Sequence, residues 1–395
     1  MTNNISSKHK NMINLGSQPI SNRYSKKPLI KAMKTELNLE QSQDTGIIRL
    51  KDTINPKAFK PLVKWITYNE PELHLDNFVE TILKKNFNNR KIEVGAISTK
   101  DRSALDRFKN KGHKVFLIDE IKDLKLSVGS GIETIQDALN SKKIKYLNNK
   151  YNSVDLLLVR HIWEHVYDQA DFSKVLKSLI KPDGLIFIEV PDCRKLLKSQ
   201  DISMIWEEHL FYYTSETIVS SMRQHGFRVV YKKIFKYPTE SSILLCVKKY
   251  KKNIALNINK IKLKRELLLG HNYSISLKKN KSFLHKLFKN KVDNKKKIVI
   301  FGGGHLALAF IAFYNLYNYI NCIIDDDKNK INLYMPNSSI QIKSSDELKK
   351  FDNLLVLLSV NLTNEKKLRE IIFNKTNGSI LIKSIFPLSK YSIFK

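Results

Sequence analysis

Apolar and polar positions along this chain change register several times, and each change marks the end of one element and the start of another. VDLLLV, residues 154–159, is an apolar run of the kind found in strands buried on both faces. Before it, KIEVG, the helical SALDRFKNKGH and the strand KVFLIDE form a strand–helix–strand pattern. After it come the helix ADFSKVLKSLI, the turn and strand PDGLIFIEVP, and TSETIVSSMRQHGF, a helix with a Thr-Ser start and a glycine stop. RVVYKKI and SSILLCVKK then complete a largely parallel sheet with an antiparallel edge. The pattern predicts a doubly wound α/β domain that begins near residue 61 with a leading helix, on which Leu75, Phe78, Val79 and Ile82 share one face, and ends near 250.

The flanks differ in texture. Residues 1–60 are polar and turn-rich, with NLGSQPI and GIIRL as candidate small strands. Residues 251–296 are lysine-rich and helix-prone, a connector with a basic face. IVIFGGGH opens a second, smaller α/β unit over 297–395, with strands near 298–301, 321–324 and 353–358 and a helix after the glycines. The fold class is therefore α/β, with a small N-terminal lobe, a doubly wound domain and a second α/β domain.

Composition narrows the function classes. A length of 395 residues with 42% hydrophobic content exceeds one ordinary core and excludes a disordered chain. A net charge of +31 would ordinarily suggest nucleic acid or anionic lipid. Here the lysines are spread over the whole length beside abundant Asn and Ile, as AT-rich coding produces, so the expectation is an anionic small substrate or a solvated surface, with no nucleic acid. Cys193, Cys246 and Cys322 are far apart and odd in number, which excludes a disulfide framework and fits a reducing cytoplasm. The N-terminus does not read as a signal peptide. Ile298 to Ile324 is long and apolar, but Gly302–Gly304, His305 and three asparagines fit strand, turn, helix and strand better than a membrane span.

Three places could carry chemistry. KVFLIDE ends in Asp119 and Glu120, and an acid at the tip of a second strand can hold a ribose while the loop after the first strand approaches the rest of a nucleoside. Gly95 is followed by AISTKDRS without a second glycine, so an acid that merely ends a strand is the competing reading. RHIWEHV sets His161 and His165 four apart, one face of a helix and a spacing that can hold zinc, although no third ligand of matching spacing follows. IWEEHLFYYT, residues 205–214, lies one loop beyond PDGLIFIEVP at the carboxyl edge of the sheet. His209 can act there as a general base, with Glu208 orienting it, or the segment is a solvated helix start among core aromatics.

Together these stretches resemble class I S-adenosylmethionine-dependent methyltransferases of the nucleotide-sugar C-methyltransferase type, which act on 4-keto deoxysugars. RHIWEHVYD, KPDGLIFIEVPD and IWEEHLFYYTSETI resemble the family's strand 4, strand 5 and acid–His motifs, in order. IVIFGGGHLALAF and the following IIDDDKNKINLYMPNSSIQIKSSDEL resemble its C-terminal Rossmann-like domain, and NLGSQPISNRY resembles its N-terminal segment. The resemblance implies a Rossmann-like methyltransferase domain over 61–250 and S-adenosylmethionine as cofactor, held by Glu93, Gly95, Asp101, Asp119, Glu120, Arg160 and His161. It implies a cytoplasmic enzyme acting on a nucleotide-linked keto sugar, with His209 as base, Glu208, His165 and Tyr68 beside it, and Trp206 and Thr239 toward the sugar.

The departures are specific. Ser42 and Thr45 stand where the family has zinc-binding cysteines, so the lobe is expected to fold without zinc. Arg102 replaces a loop glycine, Trp206 replaces a tyrosine, and Thr239, Glu240, Ser241 replace a His-Gly-Gly stretch. A non-catalytic relative that binds a nucleotide sugar or a partner enzyme, and an O-methyltransferase on the same scaffold, are the alternatives.

Overall fold

The computed structural model describes residues 8–21, 23–28, 31, 33–59, 72–127, 132–238, 240–250 and 259–395. The N-terminal lobe is an antiparallel sheet of β1 (His9–Pro19), β2 (Lys34–Ser42) and β3 (Ile48–Leu50). The central domain follows as α1 (Leu75–Phe87), β4 (Glu93–Ala96), α2 (Arg102–Asn110), β5 (Lys114–Leu117), α3 (Ile132–Ala138), α4 (Ile144–Lys150), β6 (Val154–Arg160), α5 (Gln169–Leu179) and β7 (Ile180–Asp192). It closes with α6 (Arg194–Ser199), β8 (Phe211–Tyr212), α7 (Thr217–Gln224), β9 (Phe227–Phe235) and β10 (Ser241–Lys249). The helix entry expected over 61–71 lies outside the described residues.

The central sheet has the order β5-β4-β6-β7-β10-β9, with β5, β4, β6 and β7 parallel and β10 and β9 antiparallel at one side. Every residue of β6 is buried, as its composition predicts. Leu156 and Leu158 enter the core beneath α1 and α2, while Leu157 and Val159 enter the core beneath α5 and α7. That alternation is the period of a strand covered by helices on both faces. The chain reverses its winding between β4 and β6, which makes their carboxyl ends the switch point at which doubly wound sheets bind ligands.

A 34-residue helix, α8 (Lys260–Asp293), crosses to the C-terminal domain. That domain is a five-stranded parallel sheet, β11 (Lys297–Phe301), β12 (Cys322–Ile324), β13 (Ile342–Lys343), β14 (Asn353–Leu358) and β15 (Ser379–Ser384), in the order β13-β12-β11-β14-β15. Its helices include α9 (His305–Tyr314) and α10 (Glu365–Asn374). The apolar stretch 298–324 is thus strand, glycine turn, ten-residue helix and strand, and no helix among the described residues is long and apolar enough to cross a membrane.

The lobe closes without cysteine ligands. Ser42 Oγ accepts from the N–H groups of Asp44 and Thr45, and the Gly46 N–H returns to the Ser42 carbonyl at 2.9 Å, so a hydrogen-bonded turn joins β2 to β3. Glu266 of α8 packs over this turn. Its carboxylate also pairs with Arg194 and accepts from Thr214 Oγ1 at 2.9 Å, and its carbonyl accepts from Gln41 Nε2. Gly46 has φ +73°, and a Cβ there would lie 2.7 Å from Glu266 Cβ. Gly46→Ala therefore combines backbone strain with a clash against α8, and we expect it to destabilise the protein by roughly 1–3 kcal/mol. A fall in the urea midpoint at constant slope is the result that checks it.

Candidate active site

The switch point between β4 and β6 is built around one buried guanidinium. Arg160 ends β6 and is 1% exposed. Its Nε donates to Glu189 Oε2 at 2.6 Å, and its Nη1 donates to the Lys100 carbonyl at 3.1 Å and lies 3.3 Å from Glu72 Oε1. The Arg160 backbone N–H donates to Asp101 Oδ1 at 3.0 Å, while Asp101 Oδ2 takes the Ser98 N–H at 3.3 Å. Through these bonds the whole 98–101 loop is tied to β6. Complete burial pushes the Asp101 carboxyl up to about 6, against the opposing pull of Arg160.

His161 comes next, just past β6, with φ +50°, a left-handed backbone that no β6 residue adopts. The turn sends its ring back to within 3.6 Å of both Glu189 and Glu164. His74, at the start of α1, brings Nε2 to 2.9 Å from Glu189 Oε1, and its Nδ1 shares a hydrogen bond with Tyr237. Burial alone would raise the Glu189 carboxyl. Hydrogen bonding and charge from His161, His74 and Arg160 overcome that and hold it well below the ordinary carboxylate range.

Arg160 Nη2 and both Glu164 carboxylate oxygens are buried without hydrogen-bond partners in the same cluster. A buried cationic donor and a buried anionic acceptor left open at a sheet's switch point suit the carboxylate and ammonium of an amino-acid moiety, so these residues fit the methionyl part of S-adenosylmethionine. The two acids expected at a ribose are already engaged. Glu120 Oε1 accepts from Thr99 N and Oγ1 at 2.9 and 2.8 Å, and Asp119 Oδ1 caps the N–H groups of Ile121 and Lys122. At Gly95 a Cβ would meet the Phe116 ring at 2.6 Å, so this glycine lets β5 pack against β4.

The segment Ile205–Leu210 lies beyond the end of β7 and is held from three sides. The Glu207 carboxylate, 3% exposed, accepts from the Ser21 N–H and from Ser21 Oγ in the N-terminal lobe. Tyr212 hydrogen-bonds to both the N–H and the carbonyl of Trp206. β8 pairs antiparallel with β3, and Leu50 N–H donates to the Leu210 carbonyl at 2.9 Å. His209 itself is half-buried, with the His165 ring edge-on at 4.7 Å and the Trp206 indole at 5.4 Å. His165 Nδ1 lies 2.7 Å from the Glu208 carbonyl, which only accepts, so Nδ1 carries the proton. Burial first, and then His209, push His165 well below the ordinary imidazole range, so it stays neutral.

The expected residues thus separate into groups. Asp101, Arg160 and His161 meet at the buried cluster, and His165, Trp206, Glu208 and His209 meet beside it. Glu93 sits at the opposite end of β4, paired with Lys114 and Lys181 at 2.8 and 3.1 Å. Tyr68 and Thr239 lie outside the described residues. The helical spacing expected of His161 and His165 is corrected: a left-handed turn followed by a short 3-10 segment, Trp163–His165, separates them, and they face different partners. No group of three or more His, Cys, Asp or Glu that could hold a metal occurs among the described residues. His74, Glu164, Glu189 and Glu207 were not singled out in the sequence. Glu164, Glu189 and Glu207 all stand inside the motifs RHIWEHV, PDGLIFIEVP and IWEEHLFYYT, and for Glu189 a charged residue inside an otherwise apolar strand is the available signal.

Residues 75–232 match the family described as methyltransferase domain, and residues 262–383 match the family described as C-methyltransferase C-terminal domain. The C-methyltransferase NovU of Streptomyces niveus is 28% identical over 127 residues, which are 32% of this chain and 30% of that protein's length. Among solved structures, the 1,6-didemethyltoxoflavin-N1-methyltransferase of Burkholderia thailandensis is 11% identical with a TM-score of 0.30, covering 52% of this chain and 96% of that one. A putative S-adenosylmethionine-dependent methyltransferase of Listeria monocytogenes is 11% identical with a TM-score of 0.31, covering 46% of this chain and all of that one, 100%.

Glu189→Gln keeps the shape of the cluster but leaves Arg160 buried without its counter-charge, and we expect a loss of about 3–5 kcal/mol. Because the folded carboxyl lies below its ordinary value of 4.5, the stability it contributes is complete above that pH and is lost as the pH falls below it. Urea melts of both proteins should therefore differ at pH 7 and converge in acid.

Proposed function

Because the chain belongs to the C-methyltransferase family, with its methyltransferase domain and its C-terminal domain on one polypeptide, we propose that it methylates carbon beside the ketone of a nucleotide-linked deoxysugar. The observation that carries this reading is the half-buried His209 at the carboxyl edge of the central sheet, next to a neutral His165 and one shell from the Arg160 cluster. S-adenosylmethionine, when bound, supplies an electrophilic methyl group that needs only in-line placement.

The chain's own residues do the rest. His209 removes the proton from the carbon next to the ketone, leaving an enolate on the sugar. Glu208, whose carbonyl fixes His165, belongs to the same turn and holds the base in place, and Tyr68 is a further candidate for the same reaction. A C–H beside a carbonyl is acidic only where the enolate oxygen is stabilised, so hydrogen-bond donors must converge on it. Trp206 offers an N–H that donates but cannot accept a proton, and Thr239 is the second candidate toward the sugar. Arg160, His161 and Asp101 hold the amino-acid end of the cofactor, Asp119 and Glu120 its ribose, and Gly95 and Glu93 support the strand from which its loop departs. The basic surface suits a diphosphate-bearing substrate in the cytoplasm.

One observation favours a second reading, a non-catalytic relative that binds a nucleotide sugar or a partner enzyme. Glu120 Oε1 already accepts from Thr99 N and Oγ1, so fewer acceptor sites are left there for a ribose. Calorimetric titration with S-adenosylmethionine and with S-adenosylhomocysteine separates the two: saturable heat is expected, and its absence at high protein concentration would leave the binding-only reading. Solvent deuterium exchange into a nucleoside-diphosphate 4-keto-6-deoxyhexose, without cofactor, then tests the base. His209→Ala should slow this exchange by about 10²–10⁴-fold, and exchange at the wild-type rate would remove His209 from that role.

A further inference from the structure

The carboxyl edge of the C-terminal sheet is also a switch point, because β11 has β12 on one side and β14 on the other. Gly302–Gly304 turn there and α9 begins at His305. In a doubly wound sheet this crevice is where a ligand is expected. Here protein groups from the other two domains enter it. Tyr24 of the N-terminal lobe, fully buried, donates its hydroxyl hydrogen to the Gly304 carbonyl at 3.2 Å. The Trp206 indole lies flat on the His305 ring, with centroids 4.4 Å apart and planes 10° from parallel. Within the turn, Asp325 Oδ2 accepts from the Gly303 N–H at 2.8 Å and pairs with Lys330 at 2.9 Å.

We infer that His305 is a positioning residue for the reaction proposed above: its ring braces Trp206 from the C-terminal domain, and the braced indole fixes His209 beside the substrate. Trp206 is the common wall. One edge of its surroundings is the His305 stack, and the other is His209 at 5.4 Å, itself backed by His165. The stack is the contact of two flat neutral rings. Burial, with a smaller push from His209, takes His305 down to about 3, so no charge is switched on or off at this contact near neutral pH. Flatness is therefore the property that matters, and a phenyl ring supplies it. The backbone of Trp206 is clamped by Tyr212, and its indole is in ring contact with both His305 and His209.

The inference rests on His209 being the base, and the test separates the two. His305→Ala and His305→Phe are compared in the full-length protein, with thermal melting to verify folding. His305→Ala should lower kcat for methyl transfer and the deuterium-exchange rate together by roughly 10²-fold, the scale of a misplaced catalytic group, with KM little changed, and His305→Phe should recover most of the loss. Unchanged rates in His305→Ala overturn the inference, and so does His305→Phe as impaired as His305→Ala. If the wild-type protein neither transfers nor exchanges, the proposed function fails and the brace is read directly from the ¹⁵N-labelled indole resonance of Trp206, assigned by its loss in Trp206→Phe. A resonance displaced in His305→Ala and restored in His305→Phe supports the brace. One that stays in place in His305→Ala overturns it.

Discussion

The pairing of Arg160 with Glu189 is the constraint around which the central domain is arranged. Removing a guanidinium and a carboxylate from water costs more than their attraction returns unless further polar groups close around them. The chain supplies those groups from four directions: the Lys100 carbonyl, Glu72 before α1, His74 at its start, and His161 in a left-handed turn. Each also fixes a segment that borders the switch point. The pair therefore does for the 98–101 loop what a glycine-rich turn does elsewhere, with side-chain bonds in place of close backbone approach.

The second organising feature is that no single domain completes the surroundings of His209. The N-terminal lobe contributes Ser21 and Tyr24, and its sheet gains β8 as a fourth strand. The C-terminal domain contributes His305 against Trp206. α8 ties the three together. Glu266 covers the lobe's turn and meets Arg194, Tyr273 Oη donates to the Asp201 carbonyl at 2.9 Å, and His285 Nε2 meets the Tyr314 carbonyl at 2.8 Å. The lobe closes its turn with the Ser42 and Thr45 hydroxyls, and contacts with α8 and the acid–His segment hold it in place.

Much of this was written in local pattern. The burial of β6, the apolar face of α1 and the strand–turn–helix–strand over 298–324 follow from which residues are apolar and at what spacing, because helices and strands repeat every few residues. IWEEHLFYYT was recognisable by its place after the strand PDGLIFIEVP, and the acid–His pair by its residue types. Local pattern misled where a single backbone angle decided the outcome: His161 and His165 share a helical spacing, yet φ +50° at His161 turns the two rings to different partners.

The sequence by itself determined strands β4 to β7, β9 and β10, helices α1, α2, α5 and α7, and the β11–α9–β12 opening of the C-terminal domain, since each depends on residues close together in the chain, and it offered His209 as a candidate base. Only the tertiary structure decided the partners. Of two adjacent acids, Glu207 anchors to Ser21, 186 positions away, while Glu208 offers its carbonyl to His165. His305 reaches Trp206 across 99 positions and His74 reaches Glu189 across 115. Such contacts arise from how whole sheets and helices stack, and a buried charge or ring takes whatever partner that stacking brings within a few ångströms.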